Sequence, residues 1–174
     1  NVNTAASAVR SLRGNGSLTI QGNPANRANV KLLSDFNTLQ FTNCPLKIIF
    51  KNLTVGGVTS NGGNRRMQII NCPNVTLDNV DVSRDSLNTG IGVLLGGSSR
   101  LTLINNAIAT GPFITSPFSF DSSSEVIVAP ATSAPATGTW TVGMSQKNSV
   151  PIAGGFHGWV YTSAGWKGAG AIEA

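Results

Sequence analysis

The sequence predicts an all-β chain, namely a right-handed parallel β-helix of about four to five rungs with a small C-terminal β cap. Two observations lead to this prediction. A strand pattern recurs along most of the chain at a nearly constant interval, and the last part holds all three tryptophans. Repetition at a fixed period of a few tens of residues is the signature of architectures in which each repeat packs on its neighbours.

The clearest repeat is a pair of short strands joined at an asparagine. Three segments align without gaps, at residues 48–55, 75–82 and 101–108, with shorter copies at 18–20 and 126–128. Within residues 75–78 apolar and polar residues alternate, which is the period of a half-buried strand. Asparagine then interrupts the alternation, and it tolerates the left-handed backbone that turns a chain.

Stacking these repeats predicts an asparagine ladder at the corner and two apolar lines inside. Identical side chains in stacked strands can hydrogen-bond along the stack. The predicted ladder is Asn52, Asn79 and Asn105. The predicted interior lines are Phe50, Leu77 and Leu103, and Val55, Val82 and Ile108.

A second short strand precedes each of these segments. We predict these strands at residues 38–41, 67–70, 92–95 and 118–120. Asn-Cys-Pro follows the first two of them and indicates a tight turn. Because the surroundings of Cys44 and Cys72 are apolar, we expect two buried thiols rather than a disulfide.

A β-sandwich is the alternative fold, since it also has short strands at regular spacing. A sandwich does not require the same residue at each corner with a constant offset. Here the step from Asn52 to Asn79 is almost equal to the step from Asn79 to Asn105. The pattern therefore favours the β-helix.

Composition divides the chain into rungs at 1–130, a linker at 131–138 and a Gly/Trp-rich cap or trimerisation module at 139–174. The linker region is rich in Ala, Pro and Thr and lacks large apolar residues. The cap combines Trp140, Trp159 and Trp166 with dense glycine, which predicts short strands and tight turns. Because so short a segment buries little core by itself, we expect it to pack on the open end of the rungs or on copies of itself.

Charge and motifs exclude several functional classes. The net charge is +5, but the basic residues are scattered and only Arg65 and Arg66 are adjacent, so we predict no nucleic-acid binding. No apolar run is long enough to insert into a membrane. Neither phosphate-loop, nucleophile-elbow nor metal-ligand spacing occurs, so we predict no cofactor and no metal.

The best candidates for catalysis are three acids near one predicted corner. Glycoside hydrolysis needs two carboxyl groups facing one groove. Asp78 and Asp81 flank the corner, and Asp85 opens the loop that follows. Arg84 lies beside Asp85, where it would lower the pKa of that acid or bind an anionic sugar. The sequence favours the simpler interpretation, that these acids are solvated side chains of the scaffold.

Aromatic residues of the cap form a second candidate site. Trp159, Tyr161 and Trp166 have the flat apolar faces that stack on sugar rings. Packing of the cap is the interpretation that the sequence favours for them.

The terminal segment carries a family resemblance. It rests on Trp-Thr-Val-Gly at 140–143, Pro151, the run 158–167 and Gly-Ala-Ile at 170–172. This pattern resembles a terminal module of phage tail spikes and related β-helix proteins. Residues 14–130 resemble the pectate-lyase-like superfamily in their repeat architecture.

The resemblance implies a virion tail spike or fibre that forms a homotrimer, with the cap aromatics buried between chains. Its other partner would be a bacterial surface polysaccharide. An endoglycosidase or lyase acting on capsular or O-antigen polysaccharide is one alternative. A secreted bacterial β-helix adhesin is another.

Overall fold

The computed structural model describes residues 2–4, 16–26, 31–34, 39–56, 65–83, 90–105, 108–110, 114–136 and 140–174. Those residues form an all-β fold without helices, which confirms the predicted fold class at this level. The strands are β1 (Val2–Thr4), β2 (Ser17–Gln21), β3 (Lys31–Ser34), β4 (Leu39–Thr42), β5 (Lys47–Gly56), β6 (Arg65–Ile70), β7 (Val75–Ser83), β8 (Gly90–Gly96), β9 (Arg100–Ile104), β10 (Ile108–Thr110), β11 (Ile114–Phe120), β12 (Glu125–Ala131), β13 (Ser145–Asn148), β14 (Phe156–Thr162) and β15 (Gly165–Ala171).

Two sheets, parallel up to β13, contain all the strands. The smaller has four parallel strands in the order β11-β8-β6-β4. The larger has eleven strands and runs β1-β3-β5-β7-β9-β12-β13-β14-β15, with β2 also on β5 and β10 also on β7. The long strands β5 and β7 each pass through an asparagine and pair with each other on both sides of it. On their other edges the two halves have different partners, β2 and β3 for β5, and β9 and β10 for β7.

The pairing register reproduces the predicted repeat. In the larger sheet Ile48 pairs with Val75, and Val75 with Leu101, so two successive pairings have nearly the same sequence offset. In the smaller sheet Met67 pairs with Val93 at a closely similar offset. Parallel partners this far apart require the chain to cross over between them, and each crossover here includes a strand of the other sheet.

One apolar core lies between the two sheets. Phe50, Leu77 and Leu103 are buried in a line, as predicted, and so are Val55 and Val82. The Ile108 side chain lies outside the described part of the structure. Phe41 of the smaller sheet contacts Phe50 of the larger sheet edge-on at 5.4 Å between ring centroids. Both sheets therefore share the same interior.

The corners fall where the sequence predicts them. Asn52, Asn79 and Asn105 have φ angles of 54°, 53° and 50°, in the left-handed region. Asparagine is one of the few residues with a side chain that enters this region readily, because its short amide bonds to the nearby backbone. A second set, Asn43 and Asn71, has φ angles of 54° and 52° and begins the tight turns after β4 and β6.

The C-terminal segment continues the larger sheet in a different manner. Strand β13 pairs parallel with β12, but β14 is antiparallel to β13 and β15 is antiparallel to β14. Residues 149–155 connect β13 to β14, and a turn at 163–164 connects β14 to β15. Neither connection includes a crossover, because antiparallel neighbours need none. Residues 140–174 are thus hydrogen-bonded to the parallel strands through β13.

Candidate functional site

The first corner ladder is confirmed for one pair and changes partner at the next. Asn79 Nδ2 donates to Asn52 Oδ1 at 2.9 Å. Asn105 Nδ2 does not follow this pattern and donates to Asp78 Oδ1 at 2.7 Å. Asp78, which precedes Asn79 in β7, thus accepts the bond that Asn79 would accept in a continuous ladder.

Asp78, a candidate catalytic acid, has a structural partner on each carboxylate oxygen. Oδ1 accepts the bond from Asn105, and Oδ2 lies 3.1 Å from Lys51 Nζ. Only 13% of the Asp78 side chain is exposed. Asp78 therefore links β7 to the corners on both sides, and its accessible surface is much smaller than that of a solvated acid.

The other acids of the predicted cluster are only partly placed. Asp81 lies in β7 opposite Thr54 of β5 and is half-buried. Arg84 and Asp85 lie outside the described residues. The structure thus places Asp78 and Asp81 on one strand and leaves their catalytic roles as predictions.

The second corner forms a ladder that the sequence analysis missed. Asn71 Nδ2 donates to Asn43 Oδ1 at 2.8 Å. The repeated Asn-Cys-Pro was the signal, because it places asparagine at the same position of two stacked turns. Gly97 ends this ladder: it has a φ of 61°, and a Cβ there would overlap the Asn71 amide.

An aspartate and two serines continue this line of turns. Asp121 Oδ2 accepts from the Gly97 N–H at 2.9 Å, and Oδ1 accepts from the Ser123 N–H and hydroxyl at 3.1 and 2.8 Å. Bonds to Gly97, then to Ser123 and Ser124, lower the pKa of Asp121 to about 2. Hydrogen bonds to a carboxylate favour its charged form. The ionised Asp121 side chain therefore joins its own turn to Gly97 of the preceding one.

Cys44 and Cys72 are buried and form no disulfide, which confirms the interpretation made from the sequence. Their sulfurs approach the backbone carbonyls two residues earlier, Thr42 O at 3.4 Å and Ile70 O at 3.2 Å. Burial, followed by the neighbouring Cys44, raises the pKa of Cys72 to about 11. The Cys72 thiol is therefore protonated at neutral pH.

Three cap aromatics pack on the chain's own core. Trp166 contacts Trp140 and Tyr161 edge-on, with ring centroids 5.4 and 5.5 Å apart. All three pack against the buried apolar cluster. Tyr161 and Trp166 thus pack within one chain, and the burial between chains that the resemblance implies stays a prediction. Trp159 is half-buried on β14, in register with Gln146, and its role in glycan binding remains a prediction.

The C-terminal segment also carries exposed apolar side chains and buried polar atoms that lack hydrogen-bond partners. Among the described side chains, every strongly exposed large hydrophobic residue lies there: Val142, Val150, Ile152 and Phe156. Within the same range Gln146 Oε1 and Trp166 Nε1 are buried atoms without a hydrogen-bond partner.

Neither a metal site of three or more ligands nor a membrane-spanning helix is found in the described ranges. They contain no cluster of three or more His, Cys, Asp or Glu side chains that would hold a metal. They also contain no helix, and hence none with the length and apolarity to cross a bilayer. No family model matches the chain, and no curated protein or solved structure is significantly similar to it.

Proposed function

We propose that this chain belongs to a phage tail spike or tail fibre and recognises a bacterial surface polysaccharide. The observation that carries the proposal is the register of the parallel strands, in which Ile48, Val75 and Leu101 pair in succession at nearly equal offsets. A right-handed parallel β-helix explains this register, because a nearly constant offset and stacked asparagine corners are what a coil of similar rungs produces.

The proposed assembly is a homotrimer. Apolar residues concentrated on one surface mark interaction sites more often than they occur on a free monomer. Val150 and Ile152 are 61% and 66% exposed and lie in the connection between β13 and β14. Contact between copies there would remove this apolar surface from water, and identical copies around an axis make a closed assembly.

Binding is the favoured activity over cleavage. Asp78 already bonds to Lys51 and Asn105, so it is less available to a substrate than a free acid would be. The +5 charge suits an anionic glycan, since opposite charge speeds encounter with a polymer surface. The exposed faces of the rungs and Trp159 would supply the contacts.

The test uses a panel of purified capsular and O-antigen polysaccharides. We expect saturable binding to at least one of them, measured by biolayer interferometry, without release of oligosaccharides over a long incubation. Oligosaccharide release would favour the alternative of an endoglycosidase or lyase. Absence of binding to every phage-host polysaccharide, with binding to animal or plant glycans, would favour the adhesin alternative.

A further inference from the structure

We infer that Cys44 and Cys72 form a two-thiolate site for one soft divalent metal ion that prefers two collinear ligands, for which Hg(II) is the probe. This inference is independent of the proposed function. It depends on the stacking of two turns, on burial, and on the charge of the resulting complex.

The two turns stack in register, so the two cysteines lie directly above one another. Thr42 pairs with Ile70 at the ends of β4 and β6. The next residues, Asn43 and Asn71, share a left-handed backbone and a side-chain hydrogen bond, and the Asn43 N–H donates to Ile70 O at 2.9 Å. The residues that follow are Cys44 and Cys72, whose sulfurs each approach the carbonyl two residues earlier. Their side chains therefore have matching orientations.

The spacing of stacked strands suits a linear sulfur–metal–sulfur unit. Adjacent strands lie about 4.8 Å apart. Two collinear bonds of about 2.3 Å, the length of a typical metal–thiolate bond, span nearly this distance. A linear two-coordinate ion therefore fits the spacing of the stacked turns.

The number of ligands selects the class of metal. Neither cysteine belongs to a group of three potential ligands within the described part of the chain. Structural zinc needs four ligands, and calcium or magnesium needs oxygen ligands, so none of these ions is satisfied by two sulfurs. Soft ions prefer thiolates, and the ones that accept only two of them fit this pair.

The charge of the complex then favours a divalent ion. Both cysteines have 0% relative exposure and lie within the apolar core cluster. A net charge in such surroundings carries a large desolvation cost. Two thiolates with one divalent ion are neutral, whereas two thiolates with Cu(I) or Ag(I) retain a negative charge. Binding from HgCl2 replaces two S–H bonds and two Hg–Cl bonds by two Hg–S bonds, and it releases two protons and two chloride ions to water, with no oxidation or reduction.

The experiment measures how many mercury ions the folded chain retains. The protein is incubated to equilibrium with excess HgCl2, because the buried thiols react only when the turns open, and is then desalted against a monothiol. Native mass spectrometry of the wild type should show one mercury per chain, with both thiols blocked to dithiodipyridine after denaturation. A monofunctional mercurial should instead add twice per chain.

The matched controls are Cys44→Ser and Cys72→Ser, with Cys→Ala versions in case serine impairs folding. A single thiolate should hold mercury against the monothiol about 10²-fold less tightly, since the second bond is no longer intramolecular. Circular dichroism checks that each variant is folded. Two mercury ions per wild-type chain, mercury that links two chains, no uptake by the folded protein, or equal retention by folded single-cysteine variants would each overturn the inference.

Discussion

The chain turns by different means in its two parts. Among the described residues between 39 and 105 the left-handed turn positions are mostly asparagines, and two pairs of them bond across stacked turns. In residues 140–174 the left-handed positions are all glycines: Gly143, Gly154, Gly165 and Gly170. An asparagine turn gains a bond from its neighbour, whereas a glycine turn has no side chain to donate one. Stability of the C-terminal part therefore depends more on its aromatic contacts with the core.

The two parts also differ in how completely they bury apolar residues. Ile48, Phe50, Val75 and Leu77 of the parallel strands are fully or almost fully buried. In the C-terminal part, Val142, Val150, Ile152 and Phe156 are exposed. The parallel strands bury their apolar side chains in the shared core. The C-terminal part leaves apolar side chains exposed, which other copies would cover in the proposed trimer.

The largest expected effect lies in the parallel strands. Ile48→Ala should lower the free energy of unfolding by about 2–5 kcal/mol, because it removes a fully buried side chain and leaves a cavity. Ile49→Ala is the matched control, since the Ile49 side chain points away from the core and is only half-buried. Denaturant unfolding followed by circular dichroism measures both. Equal losses would contradict the alternation of buried and outward residues in β5.

In the C-terminal part, Trp166→Ala should cost about 2 kcal/mol, because two ring contacts and part of the core cover are lost. Trp166→Phe should cost roughly half as much, because a ring remains and the lost Nε1–H had no hydrogen-bond partner within the described residues. Chemical unfolding measures both variants. Unchanged stability in Trp166→Ala would show that the aromatic contacts do not hold the cap.

Two glycines, one in each part, separate the cost of left-handed backbone strain from the cost of steric overlap. Gly97→Ala and Gly154→Ala both place a side chain at positive φ, which costs about 1–2 kcal/mol. Gly97→Ala should cost more, because its Cβ overlaps the Asn71 amide, whereas Gly154 has nothing within 4 Å of a Cβ. Thermal unfolding compares the two. A larger loss of stability in Gly154→Ala than in Gly97→Ala would contradict the close contact between residue 97 and the Asn71 amide.

The contribution of a corner hydrogen bond is measured at Asn79. Asn79→Gly keeps the left-handed backbone and removes the bond to Asn52, so it should cost about 1 kcal/mol. Asn79→Ala should cost more, because it also brings a less favourable backbone. If Asn79→Gly were as stable as the wild type in urea unfolding, the ladder bond would contribute nothing to the parallel strands.

The smallest effect is the pH dependence from Asp121. Its folded pKa of about 2 lies below the ordinary value of 3.8. Its contribution is therefore present above about pH 4 and is lost as the pH falls towards about 2. Asp121→Asn should reduce the slope of the melting temperature against pH in this window. An identical slope in the variant would assign the acid sensitivity to another group.

The corners and interior lines were predictable because they depend on local rules. Asparagine accepts left-handed geometry, and strand alternation places Phe50 and Leu77 on one face. The same rules indicated short strands in the Gly/Trp-rich segment. The repeated Asn-Cys-Pro contained enough information for the Asn43–Asn71 ladder as well.

Other features depend on contacts that no local pattern contains. The sequence pattern does not show that Asn105 bonds to Asp78 rather than to Asn79. The reversal of strand direction after β13 depends on how the last residues meet the sheet edge. The ion pair of Asp78 requires Lys51, which lies one repeat earlier and opposite it in the sheet. Each of these requires the packed structure.

The most direct test of the proposed trimeric spike is the mass of the 174-residue chain in solution by light scattering. The account predicts three times the chain mass of 18.0 kDa. It also predicts that Ile152→Asp shifts the protein towards the monomer, because this change places a charge on the exposed apolar surface proposed to contact other copies. A wild-type mass of one chain across the micromolar range would contradict the proposed assembly.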